Sequence, residues 1–147
     1  MIGRSTLVAI TIAAVLAVGF WWTGPSGKVV EPNADSSPRA GMAMVDLTLP
    51  ETLSANAEIG KMAYDAKCAV CHGANAVGQD GVAPPLVHKI YEPSHHGDAA
   101  FLIAAKNGVR AHHWRFGNMP PVEGVTDGDV KMIVTYVREL QRANGIN

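Results

Sequence analysis

The chain has 147 residues, 48% hydrophobic and 17% charged, with a formal net charge of −1, which bounds it to one small domain with accessory segments. Lys and Arg number 12 against 13 Asp and Glu, and from Ser54 onward the two signs balance, so no strong field favours nucleic acid or a highly charged partner. The chain has two cysteines in all.

The first element is an apolar run over residues 7–22, interrupted only by Thr11 and Gly19, with Arg4 and the α-amino group as the nearby positive charges. At 1.5 Å per residue it covers roughly 24 Å, near the lower limit for crossing a hydrocarbon core of about 30 Å. Ala17-Val18-Gly19 offers a small-x-small cleavage site, whereas Trp21 and Trp22 suit a membrane interface better than a mature N-terminus. Residues 1–23 are therefore read as an uncleaved signal anchor with Arg4 on the cytoplasmic side, or else as a signal peptide. The first fate leaves the domain in the periplasm, tethered to the inner membrane. The second leaves it soluble in the periplasm. Residues 24–53 are rich in Gly, Pro, Ser, Asn and Asp, the composition of a flexible linker, with a root-mean-square reach of about 30 Å. The apolar patch from Met42 to Leu49 either belongs to that linker or packs on the domain.

Residues 54–147 read as helices joined by Gly/Pro-rich loops, with no alternating strand pattern, which predicts an all-α domain. A first helix is expected over about residues 56–67, with Ile59, Ala63 and Ala66 on one face. It runs into Cys68-Ala69-Val70-Cys71-His72. Such a C-x-x-C-H run reads as a c-type haem attachment site: each thiol forms a thioether to one haem vinyl group, and His72 lies under the iron as its proximal ligand. Three other readings stay open. A thioredoxin-like pair needs a βαβ setting that the flanks do not provide. A zinc site needs a fourth ligand from a distant histidine, and a disulfide between the two thiols would close only a very small loop. The motif itself implies export, because c-type haem is generally attached outside the cytoplasm.

Further along, a shorter helix is expected over about residues 98–106 around Phe101, Leu102 and Ile103, stopped by Asn107-Gly108. The last helix starts at Thr126, whose hydroxyl can cap the Asp129 amide in a capping box. Val130, Ile133, Val134, Val137 and Leu140 follow at helical spacing as a buried stripe.

With these elements in place the chain resembles the class I c-type cytochromes, over about residues 56–142. In that family a glycine eight residues and an aromatic four residues before the first cysteine let the first helix cross the last one closely. Gly60 and Tyr64 match those positions, and Ile133 and Tyr136 match their partners. The resemblance implies a monohaem, membrane-anchored bacterial cytochrome c, with an all-α class I fold over residues 54–147 behind an N-terminal hydrophobic helix and a flexible linker. It implies Pro84 as the carbonyl that accepts the proximal imidazole's Nδ1 hydrogen, fixing its tautomer. It also implies Met119, in Gly117-Asn118-Met119-Pro120-Pro121, as the distal ligand, so that His72 and Met119 hold the metal. Arg110 and Trp114 would supply donors to the haem propionates.

The function implied is that of a one-electron carrier, not an enzyme, with one covalent haem c held through Cys68 and Cys71. Its partners would be a quinol-oxidising complex, a terminal oxidase or a periplasmic dehydrogenase. Two alternatives stand beside it: a haem sensor or small haem enzyme, which needs an open or exchangeable distal position, and a non-redox assembly subunit with a structural haem. Five further histidines, His88, His95, His96, His112 and His113, are read as surface or propionate-contacting residues, since neighbouring pairs point in different directions and no further ligand set is spaced convincingly. Displacement of Met119 by one of them, or a second metal gathered by several, is the other reading. Lys106, Arg110 and Arg115 are candidates for a charged ring around an exposed haem edge.

Overall fold

A computed structural model describes residues 41–147. Four helices, α1 (Ala55–Lys67), α2 (Ala69–His72), α3 (Asp98–Asn107) and α4 (Asp127–Ala143), are joined by loops that include short 3-10 turns at Ala74–Ala76 and Lys89–Tyr91. Among the described residues extended pairing is limited to two isolated bridges, Gln79 with Ala83 and Val109 with Met119, in keeping with an all-α domain. The apolar run over residues 7–22 lies outside the described residues, and no helix among those described is long and apolar enough to cross a membrane.

The core is built where α1 crosses α4. Gly60 sits at the crossing: a Cβ there would lie 1.9 Å from the Met132 carbonyl oxygen and 3.0 Å from the Ile133 nitrogen. Only hydrogen fits between the two backbones. One turn on, the rings of Tyr64 and Tyr136 meet with centroids 5.6 Å apart and tilted by 57°. Both hydroxyls are used, Tyr64 donating to the Gly73 carbonyl (2.8 Å) and Tyr136 to Asn75 Oδ1 (3.0 Å). Burial pushes the Tyr136 phenol up to about 12 and that of Tyr64 higher still. Ile133, Val137 and Leu140 complete this core with Ala57 and Val87, each buried Ile, Val or Leu side chain contributing roughly 1.5–3 kcal/mol.

The buried face of α1 is Ala57, Gly60 and Tyr64, which corrects the face expected from hydropathy at Ile59 and Ala66, while Ala63 is half-buried against the core. Ile59 is 50% exposed, and Ala66 is exposed as well. The helix docks through its smallest residue, and that choice turns the larger Ile59 outward. The expected stripe on α4 is buried at all five positions, Val130, Ile133, Val134, Val137 and Leu140. Thr126 and Asp129 form the capping box, the Asp129 amide donating to the Thr126 hydroxyl (3.2 Å) and the Thr126 amide to the Asp129 carboxylate (2.8 Å). The Thr126 amide and then its hydroxyl, each donating to the Asp129 carboxylate at 2.8 Å, hold that carboxyl below the usual carboxylate range.

The two ends of the domain are laced together. Ser54 caps α1, accepting from the Ala57 amide (3.3 Å), while its own amide and hydroxyl donate to the two Glu139 carboxylate oxygens of α4 (3.0 and 2.6 Å). The patch from Met42 to Leu49, whose packing the sequence leaves open, runs along the domain. Gly41 and Asp80 tie the loop at residues 77–80 to it, with Gly41 donating to the Asp80 carbonyl and Asp80 to that of Met42, both at 2.9 Å. Thr48 and Asn144 exchange two hydrogen bonds of 2.9 Å.

Inside α4, Arg138 is only 7% exposed. Its guanidinium donates to Asp98 Oδ1 (2.8 Å), to the Tyr91 and His96 carbonyls (2.6 Å each) and to Gln141 Oε1 (2.6 Å), and it lies 5.0 Å from the Phe101 ring centroid. Gln141 in turn donates to the Leu86 and Tyr91 carbonyls. The loop leading into α3 is thereby pinned to α4 by two buried polar side chains whose hydrogen-bonding capacity is used, as burial requires.

Candidate functional site

α1 ends at Lys67, and Cys68 opens the single turn α2. The Cys71 and His72 amides both return to the Cys68 carbonyl, at 3.1 and 2.9 Å, so the two thiols and the imidazole come off one helical turn. Gln79 braces that turn from the following loop, donating to the Ala69 and Val70 carbonyls. No disulfide joins Cys68 to Cys71, and burial followed by the neighbouring Cys71 pushes the Cys68 thiol up to about 11. A redox-active C-x-x-C pair needs the opposite shift, and no strand-helix-strand unit exists among the described residues.

His72 is oriented from behind. Its Nδ1 lies 2.8 Å from the Pro84 carbonyl oxygen, a pure acceptor, so Nδ1 carries the hydrogen and donates it. Nε2 is left with its lone pair free. Burial lowers the pKa of the ring, with the Pro84 bond acting in the other direction, and the neutral form is the one that ligates a metal.

Cys68, Cys71 and His72 line a cavity of about 610 Å³ that is also lined by Phe101, Val109, Trp114, Met119 and Ile133. Ligand pockets generally fall between roughly 300 and 1,000 Å³. Met119 is held in the wall by its backbone, which exchanges two 2.9 Å hydrogen bonds with Val109. That bridge depends on Gly108, whose φ of +74° ends α3 and whose missing Cβ would stand 2.5 Å from the Met119 carbonyl oxygen.

Trp114 Nε1 is buried and has no hydrogen-bond partner. The Tyr91 phenol, itself pushed up by burial, is close enough to feel the indole, but no bond of acceptable geometry joins them. An unpaired buried donor costs about 1–3 kcal/mol, and the ring that carries this one lines the cavity, so an acceptor brought by a ligand would relieve it. Arg110, exposed and on the same lining, adds a fixed positive charge. Two thiols and a free imidazole nitrogen on one turn, an apolar cavity and an orphaned donor together fit a haem with acidic side groups.

The remaining histidines depart from expectation. His88 stands apart as the cap of the Lys89–Tyr91 turn, its Nδ1 accepting from the Ile90 amide (3.2 Å). His95, His96 and His113, however, converge until one ring nitrogen of each lies within 4.8 Å of the others. The two neighbouring pairs belong to loops on either side of α3, and the fold brings those loops together. His112 packs on His113 with ring centroids 4.3 Å apart, and its Nδ1 is engaged with the Arg110 carbonyl (2.8 Å). The His113 pKa is lowered, by its surroundings first and then by the charges of His112, His96 and His95.

Sequence reasoning passed over Gln79, Arg138 and Gln141. The last two carried a signal: they follow Val134 and Val137 by one helical turn, which puts polar groups on the buried stripe of α4.

Comparison with known proteins agrees with this geometry. The family model for cytochrome c matches residues 57–141. The chain is also 34% identical over 114 residues to the cbb3-type cytochrome c oxidase subunit CcoP of Azospirillum brasilense, in an alignment covering 74% of this chain and 36% of that protein. The chain thus spans little more than a third of the length of that relative.

Proposed function

The chain belongs to the cytochrome c family, and from that premise we propose that it is a one-electron carrier with a single haem c bound through Cys68 and Cys71 and ligated by His72 and Met119. The observation that carries this reading is the His72 imidazole, on the same turn as both thiols and tied through Nδ1 to Pro84, with Nε2 left free at a cavity that Met119 also lines. The haem supplies a ferric/ferrous couple. The chain would supply the rest: Cys68 and Cys71 would hold the group through one thioether to each of its vinyl groups. The Pro84 carbonyl raises the basicity of His72, and the Met119 thioether, a soft ligand, favours the reduced metal. Trp114 and Arg110, both on the cavity lining, would donate to the propionates. With His72 and Met119 both ligating, no position would be left for a substrate, and the backbone bridge between Val109 and Met119 would hold that ligand in place.

Val82 and Ile103 are exposed and line the cavity mouth, and Lys106, Arg110 and Arg115 are exposed as well. Such an apolar edge with nearby cations suits the small, short-lived contacts of electron transfer. Of the candidate partners, a quinol-oxidising complex, a periplasmic dehydrogenase and a terminal oxidase, the last has the support of the relative in A. brasilense, which is an oxidase subunit. The membrane anchor and periplasmic location belong to the same proposal, resting on residues 1–23 of the sequence.

Absorption spectra of the purified protein, oxidised and reduced, with and without carbon monoxide, test the ligand set. A covalent c-type haem with the far-red methionine-to-ferric band and no carbon monoxide binding is the expected result. Loss of that band with ready carbon monoxide binding replaces the carrier with a haem sensor or small haem enzyme.

A further inference from the structure

We propose that His95, His96 and His113 form a second metal site, one that takes a divalent first-row transition ion, zinc foremost. The ligand set is three imidazoles whose nitrogens lie within 4.8 Å of one another, and no carboxylate or thiolate takes part. Calcium and magnesium want oxygen ligands and copper(I) wants soft sulfur, whereas imidazole suits zinc, copper(II) and nickel(II).

Three features go beyond mere proximity. First, His95 Nε2 and His113 Nε2 are 3.3 Å apart. Two nitrogens bound tetrahedrally to one zinc at about 2.05 Å are separated by about 3.3–3.4 Å, so this edge of the site is already at its liganded length. Second, His96 Nδ1 lies 2.7 Å from the Ile90 carbonyl, which makes Nδ1 the donor and Nε2 the free ligand atom. A ring N–H tied to a backbone carbonyl is the usual outer support of a metal-bound histidine. Third, the His96 carbonyl accepts from the buried Arg138 guanidinium at 2.6 Å, so the backbone carrying two of the ligands is anchored to α4 before any ion arrives. His95 and His113 are exposed, which leaves the fourth coordination position to water.

The site stands independently of the haem reading, since none of its three ligands is assigned to the haem. One corollary alone rests on that reading. His96 and His113 also line the haem cavity, and a dication held there favours the more negative, reduced state of the haem, so the midpoint potential rises on zinc binding.

The test uses the full-length, tag-free holoprotein, cleared of metal with a chelator and titrated with zinc chloride by calorimetry. One zinc per chain with a Kd below about 10 μM is expected. His95→Ala and His113→Ala, both at exposed positions, should each weaken it at least tenfold, while His88→Ala leaves it unchanged. Zinc-edge absorption should show imidazole nitrogens at about 2.0–2.1 Å. No saturable binding, binding that survives both substitutions, or binding lost equally in His88→Ala would overturn the site and leave the 3.3 Å contact as an N–H···N hydrogen bond. Loss of the methionine-to-ferric band on adding zinc would also count against it, since that would implicate the haem ligands. Zinc binding with an unmoved midpoint potential would remove the corollary only.

Discussion

The seam between α1 and α4 and the cavity wall between α3 and Met119 are finished to different degrees. At the seam the chain satisfies itself: Gly60 meets the Met132 carbonyl with no room for a methyl group, and both tyrosine hydroxyls have acceptors. At the wall an indole N–H lacks a partner, an imidazole offers a free nitrogen, and exposed apolar side chains rim an open cavity. The first region is a structure in its own right. The second is half of one, shaped for a group that the chain does not encode.

Substitutions can break this contrast or sharpen it. The largest effect is expected for Gly60→Ala, whose new methyl would press against backbone on the partner helix; a loss of more than about 3 kcal/mol is expected in urea unfolding, whatever the haem content. A mild phenotype would show that the helices can part without loss and that the seam is looser than it looks. Next comes Arg138→Ala, which leaves the His96 carbonyl without its buried donor and the Tyr91 carbonyl with Gln141 alone. About 2–3 kcal/mol should be lost, with faster amide exchange in the loop before α3, where seam and wall are joined.

Trp114→Phe tests the wall itself. It keeps the ring and removes only the N–H, so the haem-loaded protein should lose about 1 kcal/mol in thermal unfolding. An unchanged midpoint would mean that the donor stays unpaired even with the cavity filled. The smallest effect is expected at the start of α4. Thr126→Ala removes the cap and costs up to about 1 kcal/mol. Because the capping bonds lower the Asp129 pKa from its ordinary 3.8, its contribution is fully present above that value and is lost as pH falls through the lower folded value. Asp129→Asn should therefore flatten that part of the acid-unfolding curve.

The seam was readable in the sequence and the wall much less so, for physical reasons. Helix ends are written locally: the Thr126 cap and the Asn107-Gly108 stop are decided by side chains within a turn, and they fell where expected. The turn that carries Cys68, Cys71 and His72 is equally local. Hydropathy misjudged which side of α1 is buried, because it ranks Ile59 above Gly60 while a close helix crossing ranks them the other way. Arg138 reads as a surface charge until the loop carbonyls it serves are seen around it. The convergence of His95 and His96 with His113 depends on two loops meeting across α3, which no spacing within either loop records. The packing of the segment ahead of Ser54 likewise depends on partners at Val77, Asp80 and Asn144.

Ser54 and Glu139 stand 85 positions apart, and Thr48 and Asn144 stand 96 apart. Nearly the whole domain must be looped before its ends can be laced, and the entropy of that closure is lost before any of these contacts can offset it. Helical proteins usually fold fast because their contacts are local; this one puts its main seam between its first and last helices and should fold more slowly than its helix content suggests. A chain delivered N-terminus first presents α1 and both thiols while α4 is still to come. For that interval the cysteines are held by no finished fold, and they are open to chemistry that the closed domain would hinder.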